Sequence, residues 1–457
     1  MTANLAVQGC YVLTKALRLV ARNHCVASRN FRKPKMARNR NLTAMLCVGL
    51  ILPTLPTRLF AAESASPLNV ESTMQADVRE LLREVPLIDG HNDLPWQFRK
   101  RGGDLNAIDL RVNNRSAKPP LATDIPRLRV GGIGGQFWSV YVPAESSGPE
   151  AVKAVFEQID VVHQLAARYP DTFELALTAD EVEKIHKRGK IASLIGMEGG
   201  HSIDNSLGIL RMTYAMGARY MTLTHTKNND WADSAGDKPQ HHGLTPFGEK
   251  VVLEMNRLGM LVDLSHVSDD TMRAALKVSK APVIFSHSLA RAVCNHPRNV
   301  PDDLLKLTAA NGGVVMVCFM PGFVVQRESV DLDAWEKENE RLKKLFPNDT
   351  SKVEQGIAEW RKTHPAPHRG TISDVADHVD HIRKVAGIDH IGLGSDFDGF
   401  RGGIDGLDDV SGYPALLAEL LRRDYSKEDV KKIAGLNVLR VLRAAEKAAA
   451  ELQREQK

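Results

Sequence analysis

The chain has 457 residues, 43% of them hydrophobic and 25% charged, which is ordinary for a globular protein with room for one large domain or two or three small ones. The net charge of +4 misleads: residues 1–62 hold ten Lys or Arg and no Asp or Glu, and removing them leaves −6 on the remainder. A mildly acidic body with no basic stripe excludes nucleic acid as a partner.

The basic N-terminus has its own pattern. Met36-Ala-Arg-Asn-Arg-Asn41 is positively charged, residues 42–52 are apolar, and Ala61, Ala62, Ser64 and Ala65 supply small side chains. An apolar run of only about ten residues is short for a bilayer span. The layout predicts a cleavable secretory signal that starts at Met36, with 1–62 as leader and 66–457 as one domain. No stable membrane span is expected after processing. Cys10, Cys25 and Cys47 would leave with the leader. Cys294 and Cys318 could then pair in an oxidising compartment, although Cys318 lies in an apolar run that suits a buried thiol equally well.

From about residue 76 onward, short apolar runs alternate with helix-like segments. The runs are 86–88, 135–142, 190–197, 218–224, 260–264, 282–285, 313–319 and 390–394. Several are apolar on both faces, as fully buried parallel strands should be. Helices are predicted over 149–168, 204–217, 245–258, 268–279, 301–310 and 372–386. Ser268 and Pro301 provide starts, and Gly217, Gly259 and Gly387 provide stops. Residues 327–370, rich in Glu and Lys, read as a helical excursion on a βα-loop. Residues 413–453 read as two or three closing helices.

Eight strands with helical crossovers fit a (β/α)₈ barrel, although an open doubly wound sheet shares the alternation. The polar residues decide between them. The runs lead into His91 and Asp93, Glu198, His225, His266, His287, and Asp396 with Asp398. In a parallel barrel these side chains rise to one face, whereas an open sheet would spread them along an edge.

His91 and Asp93 stand two apart on an extended segment, so both side chains emerge on one side. Imidazole and carboxylate both ligate Zn²⁺. Glu198 can give one oxygen to each of two cations, with His91 and Asp93 on one and His266 and His287 on the other. Water shared by such a pair has a lowered pKa and can attack a carbonyl. No G-x-S-x-G elbow is present to suggest a serine nucleophile.

The motifs Ile88-Asp-Gly-His-Asn-Asp93, Gly196-Met-Glu-Gly-Gly200, Leu223-Thr-His-Thr226 and Asp230-Trp-Ala-Asp233 resemble those of the membrane (renal-type) dipeptidases, peptidase family M19. So do Asp263-Leu-Ser-His266, Pro282-Val-Ile-Phe-Ser-His-Ser288, Arg298-Asn-Val-Pro-Asp-Asp303 and Gly394-Ser-Asp-Phe-Asp-Gly399. The resemblance implies a TIM barrel of the metal-dependent amidohydrolase type. It also implies two Zn²⁺ per subunit, a homodimer, and hydrolysis of free dipeptides by a metal-bridging hydroxide, with a C-terminal D-residue accepted by some members. By motif, His225 matches a histidine near the scissile bond and Arg298 the group that holds the substrate carboxylate. Asp396 matches the acid at the substrate amino end and the proton shuttle.

Departures from the animal pattern are Phe323 for a tyrosine, Lys227 and Gln326 at cysteine positions, Ser395 for a glycine, and the longer insertion. Only a rearranged Cys294–Cys318 pair would then be open. Together with the leader, these features imply a bacterial, periplasmic member.

Overall fold

The computed structural model describes residues 67–347, 349–400 and 402–455. The leader, its start at Met36 and the first three cysteines lie outside the described residues. Among the described residues nine strands form: β1 (Leu87–Asn92), β2 (Ile133–Tyr141), β3 (Phe173–Leu175), β4 (Ile191–Glu198), β5 (Ala218–Thr222), β6 (Leu261–Asp263), β7 (Ile284–Ser288), β8 (Val314–Val317) and β9 (Ile391–Leu393).

All pairings are parallel. They run from β2 through β1, β9, β8, β7, β6 and β5 to β4, and β4 pairs back with β2 from Gly135↔Ala192 to Tyr141↔Glu198. That last pairing closes an eight-stranded barrel, and the surrounding helices make it a (β/α)₈ TIM barrel. The short β3 is the addition. It lies beside Ile191–Ser193 on β4, while β5 takes up the same side from Ile195 onward. Only Phe173 of its three residues is buried, so no apolar run announces it.

The predicted helices recur as Gly148–Arg168, Leu207–Ala215, Pro246–Leu258, Asp269–Val278, Asp302–Asn311 and Ile372–Ala386. Ser268 accepts from the Thr271 N–H, and Gly259 ends its helix in the left-handed region at φ 85°. Helices Leu94–Arg99 and Ile125–Val130 have six residues each, too few for periodicity to betray them. The insertion is two helices, Gln326–Leu345 and Thr350–Thr363, joined across by the Arg361–Asp331 ion pair at 2.6 Å.

One end of the barrel is stoppered by the C-terminal segment. Val438, Leu439 and Val441 of helix Asn437–Glu455 share a packed cluster with Ile88, Phe137, Leu194, Tyr220 and Met316. Asn437 donates to the Ile391 carbonyl at the start of β9. Gly435 runs so close to the Pro86 carbonyl, ahead of β1, that a Cβ there would lie 2.1 Å from it. The N-terminal ends of the strands are therefore covered, and the C-terminal ends remain for chemistry.

Candidate active site

Glu198, the last residue of β4, is the hub. Its Oε2 lies 3.4 Å from His91 Nε2 on β1, and its Oε1 lies 3.1 Å from His266 Nε2 and 3.7 Å from His287 Nε2. Asp93 stands 3.3 Å from His91 Nε2, and the Nε2 atoms of His266 and His287 face each other at 2.9 Å. The carboxylate is thus approached by His91 on Oε2 and by His266, His287 and His225 on Oε1, and the Ser139 hydroxyl donates to Oε2 at 3.1 Å. All five predicted metal ligands meet in one place, each at most 8% exposed.

The far sides of the imidazoles are fixed. Tyr220 Oη lies 2.8 Å from His91 Nδ1 and donates to the Gly90 carbonyl at 3.1 Å. Ser286 Oγ lies 2.8 Å from His287 Nδ1 and donates to Asp263 Oδ2 at 2.6 Å. Hydroxyls that have given their protons elsewhere accept from Nδ1–H, which leaves Nε2 to face inward. Beneath them, Asp89 accepts from Ser395 N at 2.8 Å, Ser395 Oγ at 2.8 Å and Gln136 Nε2 at 2.9 Å, tying the segment after β9 to β1 and β2. The Ser395 hydroxyl adds a donor to this buried carboxylate that glycine would lack.

The backbone is bent to reach the hub. His266 has φ 68° and Asp396 has φ 67°, a region costly for residues other than glycine. The His266 carbonyl accepts from Ala235 N at 2.7 Å, which holds the bend, and the Ser234 hydroxyl donates to the neighbouring His225 carbonyl at 2.5 Å. Asp396 N donates to the His91 carbonyl at 3.0 Å, placing its carboxyl beside Asp93.

Electrostatics follow from crowding. Burial alone would raise the Glu198 carboxyl, but His91, His225 and the His266 bond outweigh it and hold it well below the usual range. Burial pushes His266 and His287 well below the usual imidazole value, and Arg298 adds to this. Burial and then the Asp93 charge push Asp396 well above the usual carboxyl range.

The remaining predicted residues line the same mouth. His225 Nε2 is 3.6 Å from Glu198 Oε1, and its ring lies 4.4 Å from that of His266. Arg298 is buried, with Nη2 donating to the His287 carbonyl at 3.2 Å and Nε left without a partner. Its guanidinium stands over the Phe323 ring at 5.3 Å. Tyr141 bridges edge-on between Trp96 and His225, with ring centroids 4.9 Å from each.

Sequence reasoning had not singled out Tyr141, Trp96, Tyr220, Ser139 or Asp89. A tyrosine, serine or carboxylate inside an apolar strand run is the signal that could have found Tyr220, Ser139 and Asp89. The open question over the cysteines resolves toward free thiols. Cys294 and Cys318 are both buried and unpaired, the first turned toward the Gly322 carbonyl and the second lying 4.0 Å from Asp396 Oδ2.

The donor set fits divalent cations. His91 Nε2 is buried among acceptors with no hydrogen-bond partner. His91, Glu198 and His287 bring ligand atoms within 4.8 Å of one another, as do Glu198, His225 and His266, and also His91, Asp93 and Asp396. Nitrogen and carboxylate donors at such spacing suit zinc and other borderline divalent ions.

The sequence profile of "Membrane dipeptidase (Peptidase family M19)" matches residues 75–456. The chain is 42% identical over 386 residues to Dipeptidase verJ of Clonostachys rogersoniana, covering 82% of this chain and 88% of that protein. It is 42% identical over 384 residues to human Dipeptidase 3, covering 83% and 69%. Among solved structures, the probable dipeptidase PvdM from Pseudomonas aeruginosa superposes with a TM-score of 0.68 at 24% identity, covering 83% of this chain and 100% of that one. A metallo peptidase from Rhodobacter sphaeroides, liganded with a phosphinate mimic of L-Ala-D-Ala, gives 0.66 at 23% identity, covering 79% and 99%. These two likenesses speak to the fold. Curated relatives of comparable identity include fungal and mammalian proteins, so the departures from the animal motifs do not by themselves place the chain among bacterial members. By the profile across nearly all of the described residues, and by its identity to curated dipeptidases, the chain belongs to peptidase family M19, the membrane dipeptidases, and is a metallo-dipeptidase.

Proposed function

We propose that the chain hydrolyses free dipeptides, including those with a C-terminal D-residue, with two zinc ions held around Glu198. The observation that carries this reading is the division of one carboxylate, with Oε2 facing His91 and Oε1 facing both His266 and His287. His91, Asp93 and Glu198 would hold one cation, and Glu198, His266 and His287 the other. Such a pair supplies a water of lowered pKa and polarises the scissile carbonyl.

The chain's own residues supply the rest. Arg298 offers a planar fork to the substrate carboxylate. The Asp396 carboxylate suits the substrate ammonium and can carry a proton to the leaving amine. His225, beside Glu198, can donate toward the carbonyl oxygen as charge develops there. A zwitterion needs both Arg298 and Asp396, which argues for a dipeptide over a neutral lactone.

The test is to strip the metal with a chelator, confirm its loss by elemental analysis, and restore Zn²⁺. Activity on Ala-Ala should vanish and return, with two equivalents per subunit at full recovery. Activity that survives complete stripping sinks the reading. L,L and L,D dipeptide sets assayed in parallel test acceptance of the D-residue. The basic, apolar and small-residue succession from Met36 supports export from the cytoplasm, with the periplasm as the proposed destination. No helix among the described residues is long and apolar enough to cross a membrane. A homodimer is part of the same reading, and sizing of the purified protein checks it.

A further inference from the structure

Arg298 is aimed less by its own bonds than by its frame. Nη1 reaches Ser288 Oγ at 3.4 Å, Nη2 reaches the His287 carbonyl at 3.2 Å, and Nε has no partner. The loop carrying it folds back on itself: Arg291 N donates to the Val300 carbonyl at 3.0 Å, and Val300 N to the Leu289 carbonyl at 2.7 Å. Across from it, the short helix Pro321–Val324 after β8 presents the Phe323 ring beneath the guanidinium.

Two buried side chains join these pieces, neither of them exposed. Asn299 uses both amide protons, one on the Cys294 carbonyl and one on the Phe323 carbonyl, each at 2.8 Å. His378, from helix Ile372–Ala386, accepts from the Ala290 N–H at Nδ1, 3.1 Å, and lies 2.8 Å from the Val324 carbonyl at Nε2. An amide N–H can only donate and a carbonyl can only accept, so the ring is neutral with its proton on Nε2. The successive carbonyls of Phe323 and Val324 are thus each held by a different side chain. The loop after β7 and the helix after β8 cannot slide apart without breaking both.

We propose that Asn299 and His378 are positioning residues for Arg298, bracketing these two segments so that the guanidinium plane is set for the dipeptide carboxylate. This rests on the reading of Arg298 given above. Neither side chain touches the metal ligands, so the bracket acts on substrate binding and not on metal retention. A bidentate fork works only when its plane is fixed, and displacement of the order of an ångström costs roughly 100-fold in such sites.

The experiment uses the full chain loaded with Zn²⁺, with KM and kcat on Ala-Ala, metal content and Tm. Asn299→Ala and His378→Leu should each raise KM about tenfold, with kcat within about twofold and metal content unchanged. His378→Asn, which keeps an acceptor near Nδ1, and His378→Gln, which keeps a donor near Nε2, should fall between His378→Leu and the parent. Arg298→Lys should raise KM at least as much, and adding Asn299→Ala to it should raise KM little further. If Arg298→Lys raises KM while the bracket variants do not, or if their effect persists undiminished in the Lys background, the bracket fails and the Arg298 reading stands. If Arg298→Lys leaves KM unchanged, the reading of Arg298 falls and the bracket falls with it. Should Asn299→Ala or His378→Leu not fold, Asn299→Ser and His378→Gln carry the same comparison.

Discussion

Tyr220 Oη stands 2.8 Å from His91 Nδ1 while its own proton goes to the Gly90 carbonyl, so a hydroxyl on β5 sets which nitrogen of a β1 imidazole faces Glu198. The ring reaches across the barrel because residue 196 is glycine: a Cβ there would lie 2.0 Å from Tyr220 Cζ. Ser286 does the same for His287, backed by Asp263. Removing such a support typically lowers metal affinity by about 10- to 100-fold. Tyr220→Phe should therefore weaken one of two binding steps when Zn²⁺ is titrated into the stripped protein, and Ser286→Ala the other. Unchanged affinities in both variants would refute these assignments.

Glu198 serves both halves of the cluster, so its loss should not be confined to one of them. Glu198→Gln keeps the size but lowers the charge. We expect less than one equivalent of metal after dialysis and a fall in kcat/KM of roughly a thousandfold, of the order seen when one central electrostatic group is lost. Elemental analysis with steady-state kinetics on Ala-Ala checks both. A variant that retains two equivalents would show that Glu198 is not the bridge.

Gly399 is needed for its emptiness. A Cβ there would sit 2.4 Å from Asp396 Oδ1 and 2.4 Å from Asp93 Oδ2. Gly399→Ala must therefore push two carboxyls at once, one a predicted ligand and one the predicted proton carrier. A shift of about an ångström at such a site costs roughly 100-fold in rate. The expected result is that loss in kcat with Tm within a few degrees of the parent. Parent-like kinetics in a folded Gly399→Ala protein would show that these carboxyls have room to spare.

His378 predicts an acid dependence of stability. Burial lowers it from 6.5 to about 4 in the folded protein. Because the folded value is the lower one, its contribution is complete above about pH 6.5 and is lost as pH falls toward 4. The full span corresponds to roughly 3 kcal/mol. His378→Gln cannot titrate, so the stability gap between parent and variant in urea melts should narrow from pH 7.5 to pH 5. A gap that stays constant or widens toward acid would show that His378 is not held neutral.

The sequence by itself determined the number and order of the barrel strands, because a strand buried on both faces is mostly apolar and such runs are visible without neighbours. It also marked the candidate ligands, because each lies just beyond the run that carries it. His91 and Asp93, Glu198, His266 and His287 were found by that rule. What it could not mark were residues whose role depends on who stands opposite. Tyr220 matters because Gly196 opens the way to His91, and Asn299 and His378 matter because two carbonyls from another βα-loop lie within reach. The sign of a pKa shift was equally out of reach, since burial raises both the Glu198 and Asp396 carboxyls and only the histidines around Glu198 reverse it there. Periodicity along the chain records burial, a property of each residue with its own strand or helix. Hydrogen-bond partners, proton positions and the plane of Arg298 are properties of pairs far apart in sequence, and closure of the barrel is what brings those pairs together.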